Sequence, residues 1–365
     1  MRAVTYLALY GSDAQPSKGA LMRGKQYWCN VDQLPSNAGD GWAVWHKGKV
    51  RSLDLTGVTS VAERWQPASD ILIAEPGGKY FLPPVCIAHL QKVILRTIAR
   101  RTWNIIIPFM VLALAVLSIG IVKSSPKVML LGALIVLFAA IFALDYYVGL
   151  RHHRTLAERA MYFHWLNKKG SPARHGLVLW TSFILLMAIG QVLLQQFLGG
   201  MTSTFRAIGV IYPVVHDGEY WRLLTGPYLH YSLMHFFTNA SLLLLIGPMA
   251  LASVGRASII VFFIGNVVSA VIQMLIGASD YDNFGGISGG VYSLFGMIVM
   301  AGTLKRKLLP AGIPLLYGGL ASIGIISSEL LDENSATVAH VFGFSFGLVS
   351  GSICALYHRS SKHFL

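Results

Sequence analysis

The sequence predicts an all-helical protein that crosses a membrane many times. Of its 365 residues, 54% are hydrophobic and 12% are charged, whereas soluble domains usually carry about 25% charged residues. The chain also contains eight apolar stretches, most of them near the ~20 residues that a bilayer-spanning helix needs. Together these observations exclude an ordinary soluble enzyme and predict an α-helical polytopic membrane protein.

The eight apolar stretches all lie after residue 102. They are Trp103–Val122, Met129–Leu150, Leu177–Leu198, Met234–Val254, Ile259–Ile276, Ser288–Thr303, Leu308–Ile326 and Ala336–Tyr357. Two of them are shorter than the rest. Each is predicted to form one transmembrane helix.

Residues 1–83 are the only part of the chain with a soluble composition. Short runs of β-forming residues alternate there with Gly, Pro, Ser and Asn, which is typical of a small β-rich domain. The runs are Gln26–Val31, Gly41–Trp45, Val50–Leu55, Asp70–Ala74 and Lys79–Leu82.

Residues 84–102 change to a helical pattern with basic residues on one face. Lys92, Arg96 and Arg100 recur at i, i+4 spacing. Such a face is either solvated or lies on anionic lipid headgroups. The position directly before the first span favours a basic juxtamembrane helix on the headgroups.

Basic residues are distributed unevenly between the two sets of loops that connect the spans. One set contains most of them, whereas the other holds Lys123, Lys127, Arg206 and Arg222. Since basic loops stay in the cytosol, both termini, including the tail at 358–365, are predicted to be cytosolic. The net charge of +13 follows from this asymmetry and requires no nucleic acid partner.

The three cysteines, Cys29, Cys86 and Cys354, are too few and too scattered for a disulfide framework. Cys86 and His89 have a C-x-x-H spacing, but no second ligand pair with matching spacing is present. Packing is therefore favoured over a metal site, and we expect neither a metal nor an organic cofactor.

The segment 284–296, FGGISGGVYSLFG, places a serine among glycines at the start of an apolar run. Ser288 follows Gly286 and precedes Gly289, so backbone can approach its hydroxyl closely. The segment also fits the G-x-S-x-G elbow of soluble hydrolases, but that motif requires a preceding strand. A nucleophilic serine and a simple helix-packing motif in lipid both remain open at this point.

Other polar residues enter the spans at the same depth as Ser288. His235 and Asn239 begin the span that ends before Arg256, and His340 begins the last span. Each of Ser288, Asn239 and His340 precedes its cytosolic anchor by 17 residues, or about 25 Å of helix. Since independent structural residues have no reason to share a depth, this coincidence indicates catalytic partners.

The chemistry of these residues fits acyl transfer. Ser288 needs a base, and His340 is the candidate. His235, Asn239 and the Ser288 backbone N–H can donate to a tetrahedral oxyanion. No acidic residue lies at this level, which predicts a dyad instead of a triad. Tyr292, one turn after Ser288, is expected to stack on the histidine.

These motifs resemble those of the rhomboid family of intramembrane serine proteases. The residues that carry the resemblance are Trp221-Arg222, the H-x4-H-x3-N of His230, His235 and Asn239, Gly286-x-Ser288-Gly289 with Tyr292, and Ala339-His340-x-x-Gly343. The resemblance implies a six-helix core at 177–357, a Ser288–His340 dyad, an oxyanion site near His235 and Asn239, and cleavage of substrate transmembrane segments after small residues.

The resemblance also assigns supporting and structural residues. Supporting roles are expected for His230, Gly286, Gly289 and Tyr292, and structural roles for Trp221, Arg222, Gly296, Gly343 and Gly347. It leaves residues 1–150 unexplained, including two extra helices at 103–150, and the linker at 151–176 precedes the core. The chain departs from the family at Leu251, where rhomboids often carry a glutamate.

Two other functions fit parts of the sequence. A catalytically silent rhomboid relative would bind or escort membrane proteins, but such proteins normally lack the serine or the histidine. A secondary transporter would show matching halves, which this chain lacks. We therefore expect a multi-pass protease of a bacterial inner or plasma membrane, with membrane-protein substrates and a site open to the outer side. The sequence names neither the substrate nor the oligomeric state.

Overall fold

The computed structural model describes residues 36, 39–277, 282–305, 308–331 and 336–357. The predicted strand Gln26–Val31, Cys29, Tyr281 and the tail at 358–365 lie outside the described residues. The strands are β1 (Trp42–His46), β2 (Lys49–Leu53), β3 (Ile71–Ala74), β4 (Val210–Ile211) and β5 (Asn283–Phe284).

The α-helices of the described part are α1 (Leu55–Arg64), α2 (Ala88–Val122), α3 (Pro126–Asp145), α4 (His153–Asn167), α5 (Pro172–Leu198), α6 (Met201–Ile208), α7 (Tyr212–His216), α8 (Arg222–Thr225), α9 (Leu233–Val254), α10 (Ala257–Ile276), α11 (Ser288–Leu304), α12 (Ile313–Leu331) and α13 (Thr337–Tyr357). A π-helical turn, Tyr146–Leu150, follows α3.

The described N-terminal part contains a three-stranded antiparallel sheet in the order β2-β1-β3. Helix α1 follows β2 and was missed by the sequence prediction, although Asp54 caps it by accepting a hydrogen bond from the Gly57 N–H at 2.8 Å. The predicted strand Lys79–Leu82 is reduced to isolated bridges: Leu82 pairs with Ile73, and Tyr80 is also a bridge residue.

Helix α2 begins at Ala88, after the sheet, and continues without a break through the first predicted span to Val122. Its apolar residues Leu90, Ile94 and Ile98 pack into one core with Val58 of α1 and other residues of the N-terminal region. The expectation that this helix lies on lipid headgroups is therefore wrong, because a helix continuous with a membrane span cannot also lie flat.

Seven described helices are long and apolar enough to cross a membrane, namely α2, α3 with its π-turn, α5, α9, α10, α12 and α13. The eighth predicted span is the shorter α11, with 17 residues. The predicted start of the seventh span at Leu308 is wrong, because Pro310 and the positive φ of Gly312 delay the helix until Ile313. The polytopic helical fold is confirmed.

Helix α11 lies at the centre of the last six helices. It is buried along nearly its whole length and packs against α9, α10, α12 and α13. Its closest neighbour is α13, and glycines line their contact. A Cβ on Gly296 would lie 2.8 Å from the Leu348 nitrogen, and one on Gly347 would lie 2.9 Å from the Met297 nitrogen. The two backbones therefore touch.

Leu251, the departure noted in the sequence, lies near the C-terminal end of α9 beside Gly176 of α5. A different polar contact occupies this end of the helix. The Tyr162 hydroxyl of α4 lies 3.0 Å from the Ser253 hydroxyl, and both side chains are buried. The base of α9 is thus tied to the linker helix.

Candidate active site

The structure brings the predicted nucleophile and base together. Ser288 is the first residue of α11 and His340 lies in the first turn of α13. The His340 Nε2 atom is 2.9 Å from the Ser288 Oγ atom. Both residues are buried, with 4% and 7% of their surfaces exposed. This distance permits direct proton transfer between the two side chains.

Gly286 shapes the backbone that leads into Ser288. Its φ is +110°, which strongly favours glycine. A Cβ at this position would lie 2.6 Å from the His235 ring and 3.4 Å from the Asn239 Nδ2 atom. The glycine therefore lets the chain before Ser288 pass directly over these two side chains. The predicted supporting group is assembled at one place.

Asn239 and His230 carry buried polar atoms whose hydrogen-bonding capacity is unused. Within the described part of the chain, Asn239 Nδ2 and both ring nitrogens of His230 have no hydrogen-bond partner. Both residues are almost fully buried, and the ring centroids of His230 and His235 are 5.2 Å apart. Burial, and secondarily His235, lowers the pKa of His230 to about 3, so its ring is neutral.

The backbone of His230 is fixed by one glutamine of α5. Its N–H donates to Gln191 Oε1 at 3.0 Å, and its carbonyl accepts from Gln191 Nε2 at 2.7 Å. Gln191 was missed by sequence reasoning. Its position in an otherwise apolar span, four residues before Gln195, was a usable indication, because an amide there needs an internal partner.

Tyr292 lies beside the histidine. The ring centroids of Tyr292 and His340 are 4.7 Å apart, with the planes inclined by 38°. On its other nitrogen, Nδ1, the His340 ring lies 3.3 Å from the hydroxyl oxygen of Ser328 in α12. No motif connects Ser328 with the histidine, since α12 supplies no other predicted site residue.

Polar residues of α10 hold the two helices that carry Ser288 and His340. Asn266 Oδ1 accepts from the Gly290 N–H at 3.2 Å, and Gln273 Oε1 accepts from the Ala339 N–H at 2.9 Å. Ser269 fills the space beside Gly289. These three residues were also missed. Their spacing of three and four residues within an apolar span places them on one helix face, which was the available indication.

Ser293 joins the two central helices below the site. Its hydroxyl lies 2.8 Å from the Gly289 carbonyl oxygen and 2.9 Å from the Gly343 carbonyl oxygen. Gly343 in turn is close to Ser269, whose hydroxyl oxygen would be 2.9 Å from an added Cβ. An added Cβ on Gly343 would also meet the Gly289 carbonyl oxygen, so this glycine lets α13 approach the backbone of α11.

Arg222 organises the long loop between α5 and α9. Its Nε donates to Glu219 at 2.7 Å, and its Nη1 donates to the carbonyls of Arg206 and Gly209 at 3.0 and 3.1 Å. The guanidinium also lies over the Trp221 ring, 4.7 Å from its centroid. The two residues predicted as structural therefore act within the loop, away from the Ser288–His340 contact.

The loop between α5 and α9 is attached to the segment that enters α11. Strand β4 pairs with β5 in an antiparallel register, Val210 opposite Phe284. The Tyr231 hydroxyl also donates to Asn283 Oδ1 at 2.6 Å. The loop thus helps to hold the backbone that positions Ser288.

Among the described residues, no three His, Cys, Asp or Glu side chains form a group that could hold a metal ion. His89 of the C-x-x-H pair instead lies 3.7 Å from Glu75 and against the Trp42 ring. The Ser288–His340 pair is a candidate for acyl transfer.

Comparison with known proteins identifies the domain that contains these residues. Residues 217–357 match the rhomboid domain family. The chain is 28% identical over 148 residues to the rhomboid protease GlpG of Haemophilus influenzae, which covers 40% of this chain and 75% of GlpG. It is 26% identical over 145 residues to the rhomboid protein YdcA of Bacillus subtilis, covering 38% and 70% of the two chains.

Proposed function

We propose that this chain, whose residues 217–357 match the rhomboid domain family, is an intramembrane serine endopeptidase in which Ser288 is the nucleophile and His340 its general base. The 2.9 Å distance between Ser288 Oγ and His340 Nε2 carries the proposal. Two helices that start 49 residues apart are held in contact by glycines on both sides. That construction matches what a proton-transferring pair needs.

In the proposed reaction, Ser288 Oγ attacks the carbonyl carbon of a substrate peptide bond while its proton passes to His340 Nε2. The tetrahedral intermediate collapses as His340 returns that proton to the leaving amine, and the substrate acyl group stays on Ser288. Water then attacks the ester with His340 again as base, which releases the acid and restores the hydroxyl.

The negative charge on the tetrahedral oxygen requires donors aimed at it. Asn239 Nδ2 is a suitable donor because it is buried and has no partner in the described part of the chain. His235 lies beside Gly286 at the same place. The first backbone N–H groups of α11, those of Ser288 and Gly289, lack intrahelical acceptors. We assign these groups to the oxyanion site.

The substrate in this proposal is a transmembrane segment of another protein, cut at or near small residues. Ser288 begins a helix of 17 residues, about 25 Å long, which cannot cross a hydrocarbon layer of about 30 Å. The site then lies below the outer surface, reached by water from outside past His230 and His235. In the same proposal both termini are cytosolic, residues 177–357 are the catalytic core and residues 1–83 form an appended domain.

A serine-reactive fluorophosphonate probe and a fluorescent transmembrane substrate test the assignment on the purified full chain. We expect wild type to be labelled and to cleave, and both Ser288→Ala and His340→Ala to lose cleavage because each removes half of one proton-transfer unit. Ser345→Ala provides a control on the helix of His340, because among the described residues the Ser345 hydroxyl bonds only the Val341 carbonyl, at 2.8 Å, on an exposed face of that helix. Cleavage by Ser288→Ala close to the wild-type rate would refute the mechanism. A folded wild type that neither cleaves nor reacts would favour the silent, protein-binding alternative.

A further inference from the structure

The Nδ1 atom of His340, the candidate base, lies near a residue that no motif identifies. Ser328 lies near the end of α12, and its hydroxyl oxygen is 3.3 Å from His340 Nδ1. The same hydroxyl is 2.8 Å from the carbonyl oxygen of Ile325, three residues earlier in the helix. One oxygen atom thus sits between a carbonyl and an imidazole nitrogen.

The number of protons available fixes the direction of both hydrogen bonds. A carbonyl can only accept, so the single hydroxyl proton of Ser328 is donated to Ile325. The Ser328 oxygen is then left to accept from His340 Nδ1–H. This arrangement favours the imidazole tautomer with the proton on Nδ1 and the lone pair on Nε2.

The Nε2 lone pair points at Ser288 Oγ, 2.9 Å away. We propose that Ser328 is a positioning residue for His340, holding the ring in the tautomer and rotation that a base for Ser288 requires. The inference rests on the function proposed above. In a triad this task belongs to a carboxylate; here a neutral hydroxyl performs it.

Helix α12 is well placed to hold Ser328 at this distance. One turn earlier, Gly324 passes over Tyr292 so closely that an added Cβ would lie 2.5 Å from the tyrosine hydroxyl. Tyr292 itself lies against the His340 ring. The imidazole is therefore contacted by Tyr292 of α11 and by Ser328 of α12, which together limit its rotation.

A merely structural role for Ser328 has to be separated from positioning. Serines in apolar helices often satisfy their hydroxyl on a carbonyl of the preceding turn. The neighbouring Ser327 does this, with its hydroxyl 3.1 Å from the Gly324 carbonyl oxygen. Ser327 shares the helix, the residue type and the local bond, and so provides a matched control.

The experiment measures kcat and KM on a transmembrane substrate, the probe-labelling rate and the thermal unfolding midpoint for the full chain in detergent. We expect Ser328→Ala to lower kcat and the labelling rate by roughly tenfold, since one neutral hydrogen bond is lost. KM and the unfolding midpoint should stay close to wild type. Ser328→Thr, which keeps the hydroxyl, should recover most of the rate, and Ser327→Ala should match wild type.

Three results would overturn the inference. Ser328→Ala with wild-type kcat and labelling would show that the tautomer needs no partner on Nδ1. Equal losses in Ser328→Ala and Ser327→Ala, or no recovery with Ser328→Thr, would assign the effect to helix packing. Wild type that fails to cleave or react would remove the proposed function together with the inference, whereas the first two results leave the proposed function intact.

Discussion

Replacing Gly347 with alanine should separate the two central helices and inactivate the candidate site from a distance. Gly347 lies two turns below His340 on α13. An added Cβ would lie 2.8 Å from the Ser293 carbonyl carbon and 2.9 Å from the Met297 nitrogen, both in the backbone of α11. Backbone atoms in the middle of a helix cannot move aside individually, so the helices must move apart.

The required displacement follows from these distances. Carbon atoms pack favourably at about 3.5–4.0 Å, so the 2.8 Å contact has to lengthen by at least about 0.7 Å, and the Ser293 carbonyl oxygen lies closer still. Transmitted undiminished to the site, this would stretch the Ser288–His340 distance from 2.9 Å to about 3.6 Å, beyond hydrogen-bond range. A misplacement of about 1 Å can cost about 100-fold in rate, and overpacking costs about 1–3 kcal/mol of stability.

The assay compares kcat and the thermal unfolding midpoint of Gly347→Ala with those of Gly190→Ala. Gly190 lies inside the membrane helix α5, and a Cβ there would meet nothing within 4 Å. Gly190→Ala should keep full activity, with stability unchanged or slightly raised because alanine is the better helix former. If Gly347→Ala retains more than half of the wild-type kcat, the α11–α13 contact does not set the geometry of the site.

Two further predictions test other parts of the structure. Asn239→Ala should lower kcat by about 10²–10³-fold with little change in KM, because a donor to the oxyanion acts mainly in the transition state; unchanged kcat in the cleavage assay would make Asn239 a structural residue. Arg159→Met should destabilise the chain by about 3–5 kcal/mol, because it leaves the buried carboxylate of Asp145 without its partner. The double variant with Asp145→Asn should recover much of this loss in thermal unfolding, and a single variant as stable as the double would contradict the argument.

The membrane helices could be predicted from the sequence because lipid imposes one simple condition on each of them. A span must be apolar and about 20 residues long, and both properties are local. The predicted start of α12 was wrong for a local reason too. Pro310 and Gly312 delay the helix until Ile313, although the stretch around them remains apolar. The course of α2 could not be predicted, because its packing onto the sheet depends on contacts with α1 and β3 that are distant in the sequence.

The candidate site could be predicted for residues whose spacing or depth is unusual. Ser288 and His340 share a depth, and the glycines around them mark close backbone approach. Ser328 and Gln191 follow no such pattern, and their relevance comes from the rotation of whole helices about their axes. That rotation is set by packing between helices. The sequence of one almost uniformly apolar helix does not specify which of its faces meets a neighbour.

The two extra helices and the core meet mainly on α12, the helix that carries Ser328. Ile141 of α3 fills the space beside Gly319. At the start of α12, the Arg159 guanidinium is bound to Asp145 and donates from Nε to the Ala311 carbonyl at 3.0 Å.

In a bilayer, apolar contact alone does little to hold two helices in register, so a buried charged group at one end matters more than it would in water. The part of the chain that the family resemblance leaves unexplained therefore fixes the same helix that contacts Tyr292 and His340. Any movement of the N-terminal region that tilted α3 would reach the imidazole through α12.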